Sequence, residues 1–352
     1  VTLLSYWRYS DASLGKLTDL PHGLVLATAL LSMGCGLDDV PELEPDAAVQ
    51  APEIPPPEDP QLRAPGPDLD PMARCAVARE RATEVLVADR ARHAIVAVDV
   101  ASGRVLGDLV GPDAGGPASH DRLDRPVDAT LLSDGSLVVA NFGPGSVLHF
   151  DGETGEYLDT LFYDTRVLEE PTAVRWTGEH LLVLGNDSGN LLVLDESGTA
   201  TSTMGDPGLR FPLDLALGPE PGTVFLTGAR NTSIDATVQL WDYVDGERLA
   251  WFSNPDPSRP SVGVVVDCHD AVLLSDPAGV TRLRPAGQPD RWVRDRELPV
   301  DAPSRLRTAP DGQVWVSSKH GLSRLDTDDG GFILEIGTEP ELLEDPRGFA
   351  FR

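Results

Sequence analysis

Pro126-Val127-Asp128-Ala129-Thr130-Leu131-Leu132, followed by Ser133-Asp134-Gly135-Ser136 and then Leu137-Val138-Val139-Ala140-Asn141, is the stretch that decides the fold. A proline fits the start, the edge or a bulge of a strand, the four polar or glycine positions are turn formers, and the last five residues are a second apolar strand. Phe142-Gly143-Pro144-Gly145 turns the chain again. Val147-Leu148-His149-Phe150-Asp151 reads as a third strand, Gly152-Glu153-Thr154-Gly155 as a third turn, and Tyr157-Leu158-Asp159-Thr160-Leu161 as a fourth, outer strand.

The unit recurs. Prolines at the same place follow at Pro171, Pro212, Pro260, Pro303 and Pro346, with spacings of 45, 41, 48, 43 and 43 residues. The middle pair repeats at Leu181 to Leu184 with Leu191 to Asp195, Val224 to Thr227 with Val238 to Asp242, Val272 to Ser275 with Val280 to Leu283, and Val314 to Ser317 with Leu322 to Asp326. A four-stranded sheet every 41 to 48 residues, with no helical periodicity, predicts an all-β chain folded as a β-propeller. The two ends are complementary. Pro346 to Arg352 is an inner strand with nothing after it, and Glu84 to Asp89 with Ala94 to Asp99 is a middle pair without an inner strand. Pairing them closes a ring of six blades and removes open sheet edges. The other source of that strand is Cys75 to Thr83, where Arg79, Glu80 and Arg81 are a poor fit to a closely packed position.

Val87-Ala88-Asp89-Arg90-Ala91-Arg92-His93-Ala94-Ile95-Val96-Ala97-Val98-Asp99 resembles the NHL repeat, and Val139-Ala140-Asn141-Phe142-Gly143-Pro144-Gly145-Ser146-Val147 resembles the corresponding run of YVTN-type propellers. The resemblance covers about residues 84 to 352. It implies architecture more than activity, since such propellers include binding modules, lactonase-like hydrolases and lyases.

The first third of the chain differs in kind. Gly23-Leu24-Val25-Leu26-Ala27-Thr28-Ala29-Leu30-Leu31-Ser32-Met33-Gly34 is an apolar run too short to span a bilayer, with Arg8 and Lys16 before it and Cys35 after it. The arrangement resembles a bacterial lipoprotein signal, which implies lipidation of Cys35. A cleaved secretory signal and a buried apolar segment are the alternatives. Leu37 to Met72 is rich in proline and acid, with Pro55-Pro56-Pro57 at its centre, and cannot bury enough apolar surface to fold. The expected organisation is a signal-like segment over 1–35, a linker over 36–74 and the propeller over 75–352.

Composition narrows the partners. With 28 Lys and Arg against 57 Asp and Glu, the formal charge is -29, which opposes binding to nucleic acid or to anionic lipid headgroups. The expected partner is a protein or a small molecule on the propeller face, with the membrane touched through the lipid anchor alone and the chain acting as a monomer. Three cysteines are present. An exported compartment favours pairing Cys75 with Cys268, both expected on one face of the ring, and two buried free thiols are the other reading.

No HExxH, CxxC, GxSxG or phosphate-binding glycine loop occurs. The mouth of the axial channel is therefore the candidate site. Two residues after each inner-strand proline stand Asp128, Ala173, Asp214, Val262, Arg305 and Gly348, and just after the second strands stand Asp89, Asn141, Asn186, Asp276 and Lys319. Propeller topology puts both sets on one face. Resemblance to gluconolactonase-like propellers implies a divalent cation such as calcium held by Asp128, Asn141, Asn186 and Asp214, polarising a carbonyl for hydrolysis. Against it, Ala173, Val262 and Gly348 offer no ligand and Arg305 repels a cation. No cofactor is otherwise expected, and Asp or Asn at these places can instead bond the backbone of neighbouring turns. The sequence thus predicts a lipid-anchored binding module of the bacterial cell envelope, secreted if unlipidated, with a metal-dependent hydrolase as the alternative.

Overall fold

In a computed structural model, residues 82–112, 122–205, 209–230, 236–253, 261–288, 291–319, 321–326, 332–336 and 343–352 are described. They form six four-stranded antiparallel sheets and no α-helix. The second blade is β4 (Pro126–Leu131), β5 (Leu137–Asn141), β6 (Ser146–Phe150) and β7 (Tyr157–Phe162). The third to sixth begin at inner strands β8 (Pro171–Trp176), β12 (Leu209–Leu217), β16 (Gly263–Val266) and β20 (Pro303–Thr308) and end at β11 (Ala200–Gly205), β15 (Glu247–Ser253), β19 (Arg291–Leu298) and β23 (Phe332–Ile336). The first blade is made from both ends of the ring. β24 (Pro346–Phe351) pairs with β1 (Glu84–Asp89), which pairs with β2 (Ala94–Asp99), which pairs with β3 (Val105–Val110). The closure expected from the mismatched ends is therefore present, and β24 supplies the inner strand.

Each blade is covered on both faces, so its inner and middle strands are buried almost throughout, as in a sheet sandwiched between layers. Val85 and Val87 of β1 face the sixth blade while Leu86 and Ala88 face the second. Six apolar clusters result, one at each junction between blades. The outer strands β3 and β7 are mostly half-buried or exposed. Hairpins on the face where the inner strands end are capped by aspartates whose carboxylates accept nearby backbone N–H groups, among them Asp134, Asp151, Asp195 and Asp267.

The closing junction is the one that joins chain ends. Phe349, 1% exposed, packs with Val85, Val87, Trp315, Leu322 and Ile336. Phe349→Ala should lower unfolding stability by about 3–5 kcal/mol, because a large cavity opens where the ring shuts. Leu158→Ala, on an outer strand at 48% exposure, should cost no more than about 0.5 kcal/mol. Urea unfolding of both variants checks this, and equal effects would mean that the junction does not limit stability.

Candidate functional site

An inner strand lies at the edge of its blade, with a row of backbone groups and alternate side chains directed at the axis. The residues that meet there are Asp128 on β4, Arg175 on β8, Asp214 on β12, and Arg305 and Arg307 on β20. All are buried, both aspartates completely. Arg175 bridges the two carboxylates, with Nη1 to Asp128 Oδ2 at 2.5 Å and Nη2 to Asp214 Oδ1 at 3.0 Å. Arg307 does the same from the other side, with Nη2 to Asp128 Oδ1 at 2.7 Å and Nη1 to Asp214 Oδ2 at 3.3 Å. Each aspartate also accepts a backbone N–H from the next blade: Val174 to Asp128 at 2.9 Å and Val264 to Asp214 at 3.1 Å.

Three of the positions expected at the channel, Asp128, Asp214 and Arg305, are thus brought together. Arg175 and Arg307 were not anticipated, yet the signal was present. They stand four residues after Pro171 and Pro303, on the same side of the strand as the residue two after each proline. One ring position is corrected. Gly263, not Val262, pairs with Ser275 and so occupies the place of Asp128 opposite Ala140 and Asp214 opposite Thr227. Ala173, Gly263 and Gly348 are small at that level, which leaves room for five long or charged side chains. A Cβ at Gly348 would lie 1.8 Å from Asp128 Oδ1.

The other expected channel residues do not join this cluster. Asp89 accepts the backbone N–H groups of Glu344 and Asp345 at 2.7 and 3.1 Å, fixing the turn that enters β24. Asn141 accepts from Asp124 N at 2.8 Å and donates to the Arg122 carbonyl at 2.8 Å, fixing the turn that enters β4. Asn186 donates to the Pro212 carbonyl at 3.1 Å, and Asp276 accepts from Ala278 N at 2.7 Å. The ligand set Asp128, Asn141, Asn186 and Asp214 is therefore not assembled. Guanidinium and backbone N–H donors hold the carboxylate oxygens of the first and last, and the two amides tie loops to strands. Among the described residues, no group of three or more His, Cys, Asp or Glu side chains could hold a metal ion.

Above the cluster, at the face where the inner strands begin, four described non-glycine residues besides His93 have left-handed backbones: Arg125, Glu170, Phe211 and Ala302, with φ of 56°, 51°, 53° and 44°. Each immediately precedes an inner-strand proline. Such a φ is strained for an L-residue and costs on the order of 1 kcal/mol or more. Here it accompanies a bulge at the start of each inner strand. The Arg125 and Arg90 guanidiniums lie 5.1 and 5.6 Å from the Phe142 ring centroid. Glu170 is near Asp187, Arg125 and Arg90, and its partial burial pushes its carboxyl up.

Cys268, in the turn after β16, is disulfide-bonded. Cys35 and Cys75, and with them the expected lipidation site and the Cys75 half of the expected pair, lie outside the described residues.

No family model matches the chain, and no curated protein matches it. Solved structures do. A chain of the nidogen/laminin complex is 13% identical with a TM-score of 0.61, over 76% of this chain and 97% of that one. Virginiamycin B lyase from Staphylococcus aureus, in complex with quinupristin, is 11% identical with a TM-score of 0.52, over 77% and 89%. Kuenenia stuttgartiensis hydrazine synthase is 17% identical with a TM-score of 0.51, over 68% and 72%. At these identities the likeness is one of fold, and it establishes the six-bladed propeller.

Burial pushes the Asp214 carboxyl up to about 6, outweighing the opposing pull of Arg305 and Arg175, and it pushes Asp128 up as well against Arg175 and Arg305. A carboxyl whose folded pKa lies above its unfolded value of about 3.9 holds its proton more tightly when folded. Stability should therefore rise as pH falls through about 6 and keep rising to about 4, by up to roughly 3 kcal/mol. Asp214→Asn, which has no carboxyl to titrate at this position, should lose most of that rise. Urea midpoints of both proteins at pH 7.5 and 5 decide the matter, and a flat wild-type profile would mean that both aspartates stay ionised.

Proposed function

We propose that this chain is an exported binding module that recognises another molecule with the mouth of the propeller at the face where the inner strands begin. The observation that carries this reading is the set of four pre-proline positions. One strained backbone geometry recurs in four blades, and the side chain it presents is Arg125, Glu170, Phe211 or Ala302. A constant scaffold with changing chemistry is how a propeller varies what it binds. The arginine–aspartate cluster on the axis leaves this mouth as the place where chemistry varies between blades, and Asp128, Asn141, Asn186 and Asp214, which the alternative of a cation-dependent hydrolase would need together, bond to other partners instead.

Export is supported by the disulfide at Cys268, because such bonds persist in oxidising compartments. In this reading Cys35 carries a lipid and the acidic, proline-rich 36–74 stretch acts as a spacer between membrane and propeller. A monomer is the state proposed.

A photo-crosslinking residue placed at Phe211 or Arg125 in cells should give discrete higher-mass adducts. The same residue at Ser197, in a hairpin on the opposite face, should give none. Adducts from Ser197 alone would reverse the assignment of the binding face. Cys35→Ala should release the protein from membranes while its thermal unfolding is unchanged, and a mutant that still fractionates with membranes would remove lipidation.

A further inference from the structure

The cluster at the axis does not balance its own charge. Asp128 and Asp214 face Arg175, Arg305 and Arg307, which leaves one guanidinium in surplus at the centre of the protein. Arg175 and Arg307 each bridge both carboxylates, so the surplus falls on Arg305. Its nearest approach to a carboxylate oxygen is 3.8 Å, to Asp214 Oδ1. Its Nη1 donates instead to the Val262 carbonyl at 2.7 Å and its Nη2 to the Thr172 carbonyl at 3.1 Å. Arg305 belongs to the sixth blade and Thr172 to the third, on the opposite side of the ring, so the side chain spans the bore. It is 1% exposed.

Two buried donors in this cluster have no acceptor among the described residues: the Nε–H of Arg305 and the Nε–H of Arg307, two residues apart on β20. Buried donors are ordinarily paired, and each unpaired one calls for a cause. A water molecule would satisfy the donors and leave the charge. An anion would satisfy both, and burying a cation without a counter-charge is far more costly than burying it with one. Burial already pushes the Arg305 guanidinium down in pKa, against the pull of Asp214 and Asp128, and Arg175 and Arg347 push the same way as burial.

We propose that the axial cluster binds a small monovalent anion, chloride or a carboxylate, against Arg305 and Arg307, as the third negative charge of the network. This site is independent of the partner bound at the mouth.

Thermal unfolding of the full chain, at constant ionic strength, tests it as sodium isethionate, a bulky sulfonate, is exchanged for sodium chloride or sodium acetate. The expected result is a saturating rise of roughly 5 °C or more at a hundredfold excess over the dissociation constant. Arg305→Met, of similar length and uncharged, loses the bonds to the Val262 and Thr172 carbonyls and should unfold earlier than wild type in isethionate, but should respond to neither anion. Arg307→Met, which removes both carboxylate contacts of that side chain, should unfold earlier in every buffer. Crystals of the wild type grown in bromide should show an anomalous peak within hydrogen-bond distance of Arg305 Nε. The proposal is overturned if wild type ignores both anions, if Arg305→Met keeps the wild-type response to them, or if the bromide density is absent there, in which case water alone fills the site; the bromide crystals decide it even where Arg305→Met does not fold.

Discussion

Every inner strand of a propeller has a neighbour on one side only, so the backbone N–H and C=O groups that face the axis have no ladder to join. This constraint governs the centre of the molecule. Asp128 accepts the N–H of Val174 and Asp214 that of Val264, while Thr172 Oγ1 donates to the Pro212 carbonyl and Ser275 Oγ to the Ser304 carbonyl. Arg305 donates to two more carbonyls. Side chains thus do between blades what strand pairing does within them. The guanidiniums follow from that solution, since buried carboxylates recruited to hold backbone amides need cations of their own.

The architecture was legible in the sequence because it rests on local signals repeated six times. The proline before each inner strand, the glycine or aspartate turns and the apolar pairs are each readable within a dozen residues, and the unmatched Pro346 to Arg352 and Glu84 to Asp89 fixed the closure. The candidate site was legible only in part. Periodicity placed Asp128, Asp214 and Arg305 at the axis. It also placed Asp89 and Asn141 near the same face, where their bonds to turn backbones are set by loop conformation. The one-residue offset that puts Gly263 in the ring follows from β16 beginning later after Pro260 than its counterparts do after their prolines, a detail of register that spacing cannot supply. Whether two carboxylates converge on a cation or on arginines depends on what stands across the bore, and that partner lies 47 residues away for Asp128 and Arg175 and 179 for Asp128 and Arg307.

The contrast between surface and centre is large. A chain with a formal charge of -29 concentrates three arginines and two aspartates where solvent does not reach. Exterior charge of one sign acts over long range and repels bodies of like charge. The interior charges act over a few ångströms and fix which blade meets which, since Arg175 and Arg307 approach the same two carboxylates from opposite sides.

The pairing of β24 with β1 also sets an order of events. Val85 and Phe351 are partners in one sheet, so the first blade to leave the ribosome is the last that can be completed. Until then β1 has an unpaired edge and the surface that Phe349 will cover is bare. Contacts so distant along the chain are slow to form. A polypeptide threaded through a membrane from its N-terminus would hold this open edge throughout transit and shut it only after its final strand had emerged.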